Sequence, residues 1–72
     1  MSDSVYKVIE LVGTSPTSWE EAAAGAVRAA AQSLRDLRIA EIKELDMQLD
    51  NDGTVAAYRA KVAVSFRYHS EE

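Results

Sequence analysis

Apolar and polar positions alternate along most of this chain. The places where the alternation changes phase or period mark its elements. Val5 to Val12 reads V-Y-K-V-I-E-L-V. One parity carries Val5, Lys7, Ile9 and Leu11, and the other carries Tyr6, Val8, Glu10 and Val12. A strand with apolar groups on both faces is predicted, with Gly13 ending it. Thr14 to Ser18 is a cluster of turn and capping residues. Ser18 and Glu21 have the spacing of a capping box, and Glu20 and Glu21 suit the positive end of a helix dipole. The period then becomes helical. Ala23, Val27, Ala30, Leu34 and Leu37 follow the spacing of a buried stripe, while Arg28, Gln32 and Arg35 fall on the wet side. Gly25 costs about 1 kcal/mol relative to Ala inside a helix, so a close backbone approach is expected there.

Arg38 to Leu49 reads as a second strand whose phase switches. Ile39, Glu41 and Lys43 share a parity with Leu45, Met47 and Leu49, and Ala40 and Ile42 share the other with Glu44, Asp46 and Gln48. The apolar side changes near Glu44, which predicts a bulge or sharp bend. Asp50-Asn51-Asp52-Gly53 is a strong turn signal. From Thr54 to Tyr68 the alternation is clearest: Tyr58, Ala60, Val62, Val64, Phe66 and Tyr68 against Arg59, Lys61, Ala63, Ser65 and Arg67. That pattern predicts a half-buried antiparallel strand. The expected fold is α+β, in the order β-α-β-β, with one helix on a three-stranded antiparallel sheet. Residues 1–72 are expected to form a single domain, with 1–4 and 69–72 as flexible tails.

Composition changes this picture in one respect. The chain has 72 residues, 47% of them hydrophobic, but much of that fraction is alanine, and there is one Trp, one Phe and no Cys. A chain this short buries only about 60% of its unfolded surface. Without cysteine it has neither a disulfide nor a thiolate metal site, and its single His excludes the usual imidazole zinc sites. Shared cores between copies are therefore expected, and long strand edges left open in one chain call for cover. The net charge of −4 argues against a general nucleic-acid binder. No apolar run approaches the roughly 20 residues that span a bilayer. Met1 to Ser4 is polar and acidic, unlike a secretory leader, so a cytoplasmic protein without membrane or nucleic-acid partners is expected.

Candidate chemistry is sparse. Placing Asp50-Asn51-Asp52-Gly53 in a calcium-loop register puts Gln48 at the first position and Arg59 at the twelfth, where carboxylates are required, so the segment reads as a hairpin turn. His69 lies in a polar tail, and no Ser-His or Cys-His nucleophile system is evident. Gly13-Thr14-Ser15 lacks the spaced glycines of a nucleotide loop. Trp19 reads as a core or interface anchor. Glu10, Glu41, Glu44 and Asp46 read as a solvated face, although in a symmetric oligomer such carboxylates can converge across an axis and hold a cation.

Taken together, V-Y-K-V-I-E-L-V-G-T-S-P-T-S-W-E-E-A-A, S-L-R-D-L-R-I-A-E-I and Y-R-A-K-V-A-V-S-F-R-Y resemble the dodecins, from about Val5 to Tyr68. E-L-V-G-T-S is the most specific element. The resemblance implies a sheet wrapped around its helix and a hollow homo-dodecamer of cubic symmetry. It implies a non-enzymatic storage protein, binding riboflavin or FMN at subunit interfaces, with coenzyme A bound by some members. Position by position, a flavin-stacking Trp of the family falls on Ile39, and a flavin-bonding Gln falls on Arg59. Arg67 matches a basic residue that can serve a flavin phosphate, and Glu44 matches an acidic residue near the ligand. A family Arg near the phosphate falls on Asp46. Ile39, Glu44, Arg59 and Arg67 are thus the candidate flavin-binding residues. Ile39 offers an apolar wall without stacking, and Arg59 lacks the acceptor of an amide. A subset of the family without the Trp is associated with calcium, and the V-Y-K-V-I opening is similar to that subset. Glu44 and Asp46 are the candidate metal residues.

Overall fold

The computed structural model describes residues 4–68, so the expectations for residues 1–3, His69 and the rest of the C-terminal tail lie outside the described residues. Four elements follow in order: β1 (Tyr6–Ser15), α1 (Trp19–Ser33), β2 (Leu37–Leu49) and β3 (Val55–Arg67). The strands form one antiparallel sheet in the order β1-β3-β2. The expected β-α-β-β order and three-stranded sheet are both found.

Register assigns the two faces. Ala60, Val62 and Val64 of β3 are buried, and they stand opposite Gly13, Leu11 and Ile9 of β1 and Leu45, Ile42 and Ala40 of β2. These positions make the helix side of the sheet. The predicted parity of β3 is therefore correct. The far side carries Val8, Glu10, Val12 and Thr14 of β1, Arg59, Lys61, Ala63 and Ser65 of β3, and Ile39, Glu41, Glu44 and Asp46 of β2.

Gly13 does not end β1. It pairs with Ala60, two residues before the strand stops. A Cβ there would overlap the Ala22 carbonyl oxygen and lie 3.2 Å from the Ala26 Cβ. Its missing side chain is what lets α1 lie directly on the sheet. Gly25, where a close approach was expected, meets only the Arg28 guanidinium at an ordinary 3.8 Å.

The helix is also shorter than its spacing suggested, and of its expected stripe only Ala30 is fully in the buried row. Ala22, Ala26 and Ala30 face the sheet, with Ala23 and Val27 only partly buried beside them. Alanines at i, i+4 and i+8 allow the closest axial approach, so the row opposite Gly13 wins over the bulkier one. Leu34 is the C-cap in an extended conformation. Asp36, with φ of 61°, turns the chain, and its carbonyl accepts from the Arg67 N–H at 3.1 Å. Leu37 then pairs with Phe66 as the first residue of β2 and does not continue the helical stripe. At the other end Ser18 Oγ accepts from the Glu21 N–H at 3.0 Å, which is the forward half of a capping box; the reciprocal bond to the Glu21 carboxylate is replaced by one to Ser15. The Ser18 N–H donates to Ser15 Oγ at 3.4 Å.

The predicted bulge is present. Register shifts between Ile42 and Glu44, leaving Lys43 without an opposite residue, and two further shifts occur at Leu37/Ile39 and Gln48/Leu49. The bulge returns Leu45 and Met47 to the helix side after Ala40 and Ile42. In the turn, Asp50 accepts from the Gly53 N–H at 2.9 Å, and Gly53 takes a φ of 85° that favours glycine. The Thr54 hydroxyl and N–H both donate to Asp52, which holds that carboxyl below its ordinary range.

The core is thin. Its only fully buried side chains larger than alanine, among the described residues, are Val62 and Val64. Ile42, Leu45 and Met47 sit on the helix side yet are 47%, 49% and 45% exposed, because α1 does not reach across β2.

The two glycines predict opposite responses. Gly13→Ala forces helix and sheet apart and should lower unfolding stability by about 1–3 kcal/mol. Gly25→Ala makes only an ordinary contact with the Arg28 side chain and should raise it by up to about 1 kcal/mol. Denaturant midpoints of the two variants check this; equal responses would contradict the close-approach account.

Candidate functional site

Two surfaces hold the residues singled out by the sequence. The first is a groove of about 410 Å³ between the start of α1 and the bulged part of β2, lined by Trp19, Glu20, Ala23, Ile42 and Leu45. Trp19 forms its end wall. Its indole N–H donates to the Asp46 carbonyl at 2.9 Å, and its ring meets Tyr58 edge to face, with centroids 5.2 Å apart and planes at 73°. Such aromatic pairs add about 0.5–1.5 kcal/mol beyond their burial. Trp19 is thus an anchor, as expected. It fastens the helix start to β2 just beyond the bulge.

The second surface is the far side of the sheet, where the candidate residues form cross-strand rows. Asp46 stands opposite Arg59, and Glu44 opposite Lys61. Arg59 grips Asp46 at two points, Nε to Oδ1 at 2.7 Å and Nη2 to Oδ2 at 2.8 Å. This side-by-side geometry is the strong form of an Arg–carboxylate pair. The Lys61–Glu44 pair is looser, at 3.8 Å. Thr14 and Val12 of β1 complete the two rows beyond Arg59 and Lys61.

The remaining candidates are placed apart from this cluster. Ile39 is 66% exposed near the start of β2, and its carbonyl accepts weakly from the Ser65 hydroxyl at 3.5 Å. Ile39 itself lines a smaller recess of about 160 Å³, together with Val27, Leu37, Arg38, Ala40 and Val64. Arg67 lies at the end of β3, with Nη2 donating to Ser4 Oγ at 3.0 Å. One protomer therefore brings Glu44, Asp46 and Arg59 together and leaves Ile39 and Arg67 at the opposite end of the sheet.

This arrangement bears on both ligands implied by the resemblance. Calcium takes six to eight oxygen ligands. Among the described residues no three acidic or His side chains converge, and both Glu44 and Asp46 face a cation. The described residues of one protomer do not form a calcium cage of acidic side chains. Nor does any residue at position 39 offer a ring for a flavin to stack on. No helix among the described residues is long and apolar enough to cross a membrane.

A helix laid on a three-stranded antiparallel sheet, with an apolar groove left open beside β2, is the architecture of this chain. The dodecin family model matches residues 5–69, and the chain belongs to the dodecin family. It is 55% identical over 64 residues to calcium dodecin of Mycobacterium tuberculosis, which covers 89% of each chain. The crystal structure of that calcium-chelating antigen, described as having a novel calcium-binding site, superposes with a TM-score of 0.82 at 51% identity, covering 96% of this chain and 97% of the other. The dodecin of Streptomyces coelicolor superposes with a TM-score of 0.90 at 35% identity, covering 99% and 100%.

The Arg59–Asp46 and Trp19–Asp46 links went unseen at the sequence level. Counting back from the turn with Leu49 opposite Val55 places Asp46 against Tyr58. The bulge at Gln48/Leu49 moves it to Arg59. Opposite charges near one another on adjacent strands were the available signal, but the register was not.

The ion pair carries a pH prediction. The hydrogen bonds from Arg59 hold the Asp46 carboxyl below its ordinary value of 3.8; desolvation opposes them, and the charges of Arg59 and Lys61 add to the lowering. A depressed folded value means the pair stabilises the fold above the ordinary carboxyl range and is lost as pH falls through the lower value. Carboxyl-carbon NMR should place the Asp46 midpoint below 3.8, and Arg59→Gln should raise it. A midpoint at or above 3.8 in the wild type would contradict the pairing.

Proposed function

We propose that this chain is a non-enzymatic dodecin that assembles as a homo-dodecamer and binds calcium between its copies, in preference to riboflavin or FMN. The similarity to calcium dodecin, 55% over most of both chains, carries the reading. Two features of the site support it. Ile39 supplies an apolar wall without an aromatic face, and stacking on both sides of a paired flavin is lost with it. Asp46 adds negative charge on the open sheet face, where it also neutralises Arg59.

Among the described residues of one protomer no three acidic or His side chains converge, which favours a cation site with ligands from more than one copy. Glu44 is the freer of the two candidate ligands. Its side chain is 67% exposed and its Lys61 partner sits at 3.8 Å, whereas Asp46 is gripped by Arg59. Glu44 is therefore the residue expected to face a cation shared with a neighbouring copy, with the Asp46–Arg59 pair holding the strand beside it.

Calorimetric titration of calcium into the dialysed assembly should give saturable heat, and Glu44→Gln should weaken binding at least tenfold. Absence of heat and of thermal stabilisation by calcium would reject the cation reading. Riboflavin and FMN should keep their fluorescence when mixed with the protein. Strong quenching would restore the flavin assignment in its place.

A further inference from the structure

The far side of the sheet carries two cations side by side. Arg59 and Lys61 are two residues apart on β3 and share a face, and the Thr14 hydroxyl lies in the same row as Arg59. A planar guanidinium, an ammonium and a hydroxyl on adjacent positions are the donor set that phosphate-type anions select, with the guanidinium able to bond two oxygens at once. In this chain the two cations are already paired, Lys61 loosely with Glu44 at 3.8 Å and Arg59 firmly with Asp46. Asp46 takes the guanidinium edge at 2.7 and 2.8 Å, presenting two carboxylate oxygens where two phosphate oxygens would otherwise bind. Its backbone is held in place from the opposite face by the Trp19 indole at 2.9 Å, so the carboxylate is anchored and does not hang from a free strand.

We propose that Asp46 is a specificity-determining residue. By holding Arg59 in a two-point pair, it closes to phosphate-type anions a cradle that Thr14, Arg59 and Lys61 otherwise form on the open sheet face. The carboxylate acts as an internal anion, and the face admits no external phosphate while it is in place. Removing its charge without changing its shape leaves Arg59 with unfilled donors beside Lys61. This holds whether or not calcium is the native ligand, since it concerns the anion that the face refuses.

The test is titration of inorganic phosphate at constant ionic strength, because exposed charges are screened by added salt. Binding is read by calorimetry and by the Arg59 Nε–H resonance. The wild type should leave that resonance unmoved, and Asp46→Asn should bind phosphate at least tenfold more tightly than the wild type. Adding Arg59→Gln to Asp46→Asn should abolish the gain. Glu10→Gln changes net charge equally on the same face and should not reproduce it. The proposal is overturned if Asp46→Asn gains no phosphate affinity, if the gain survives Arg59→Gln, or if Glu10→Gln matches it. Asp46→Ser serves as the second variant if the amide variant does not assemble. The phosphate and calcium titrations read different ions, so either reading can fail while the other stands.

Discussion

A helix of 15 residues is about 22 Å long. Strands of 13 residues run about 43 Å. One such helix cannot cover a sheet built from the longer β2–β3 hairpin, and the protomer is accordingly drawn out to 57 × 20 × 16 Å. The helix settles where it can approach most closely, over Gly13 and Ala60, with its alanine row pressed to the sheet. Everything beyond that seat is left bare. Ile42, Leu45 and Met47 lie on the face that ought to be core, and they remain half exposed in one chain.

The bulge at Lys43 makes this arrangement useful. It swings the downstream half of β2 so that apolar residues stay on the helix side and carboxylates on the other. Trp19 then locks the swing by donating to the Asp46 carbonyl from the groove side. Asp46 thereby joins the two surfaces. Its backbone belongs to the apolar groove, and its side chain belongs to the charged face through Arg59.

Much of the fold was legible because it rests on local periodicity. The two-residue alternation of β3, the Asp50–Gly53 turn and the phase switch at Glu44 each write their outcome into neighbouring positions. The errors arose where two elements meet. Gly13 looks like a strand end until the helix above it is placed, and with Gly13 beneath them Ala22 and Ala26 join the expected Ala30 in the buried row in place of Ala23 and Val27. Leu37 continues a helical spacing, yet it is claimed by strand pairing with Phe66. The site suffered similarly. Glu44, Asp46 and Arg59 were identifiable as charged strand residues, but their pairing depends on a bulge at Gln48/Leu49 that no composition signal marks. Ile39 and Arg67 were singled out by resemblance, and in one protomer they stand apart from the others.

In the proposed assembly, other copies of the chain cover what the helix cannot. Light scattering coupled to size exclusion, at micromolar protein, measures this directly. The mass expected is about 95 kDa, twelve chains of 7.9 kDa each, with no folded species at lower mass. A stable, folded 7.9 kDa monomer would contradict it, because the half-exposed face of β2 would then need no partner.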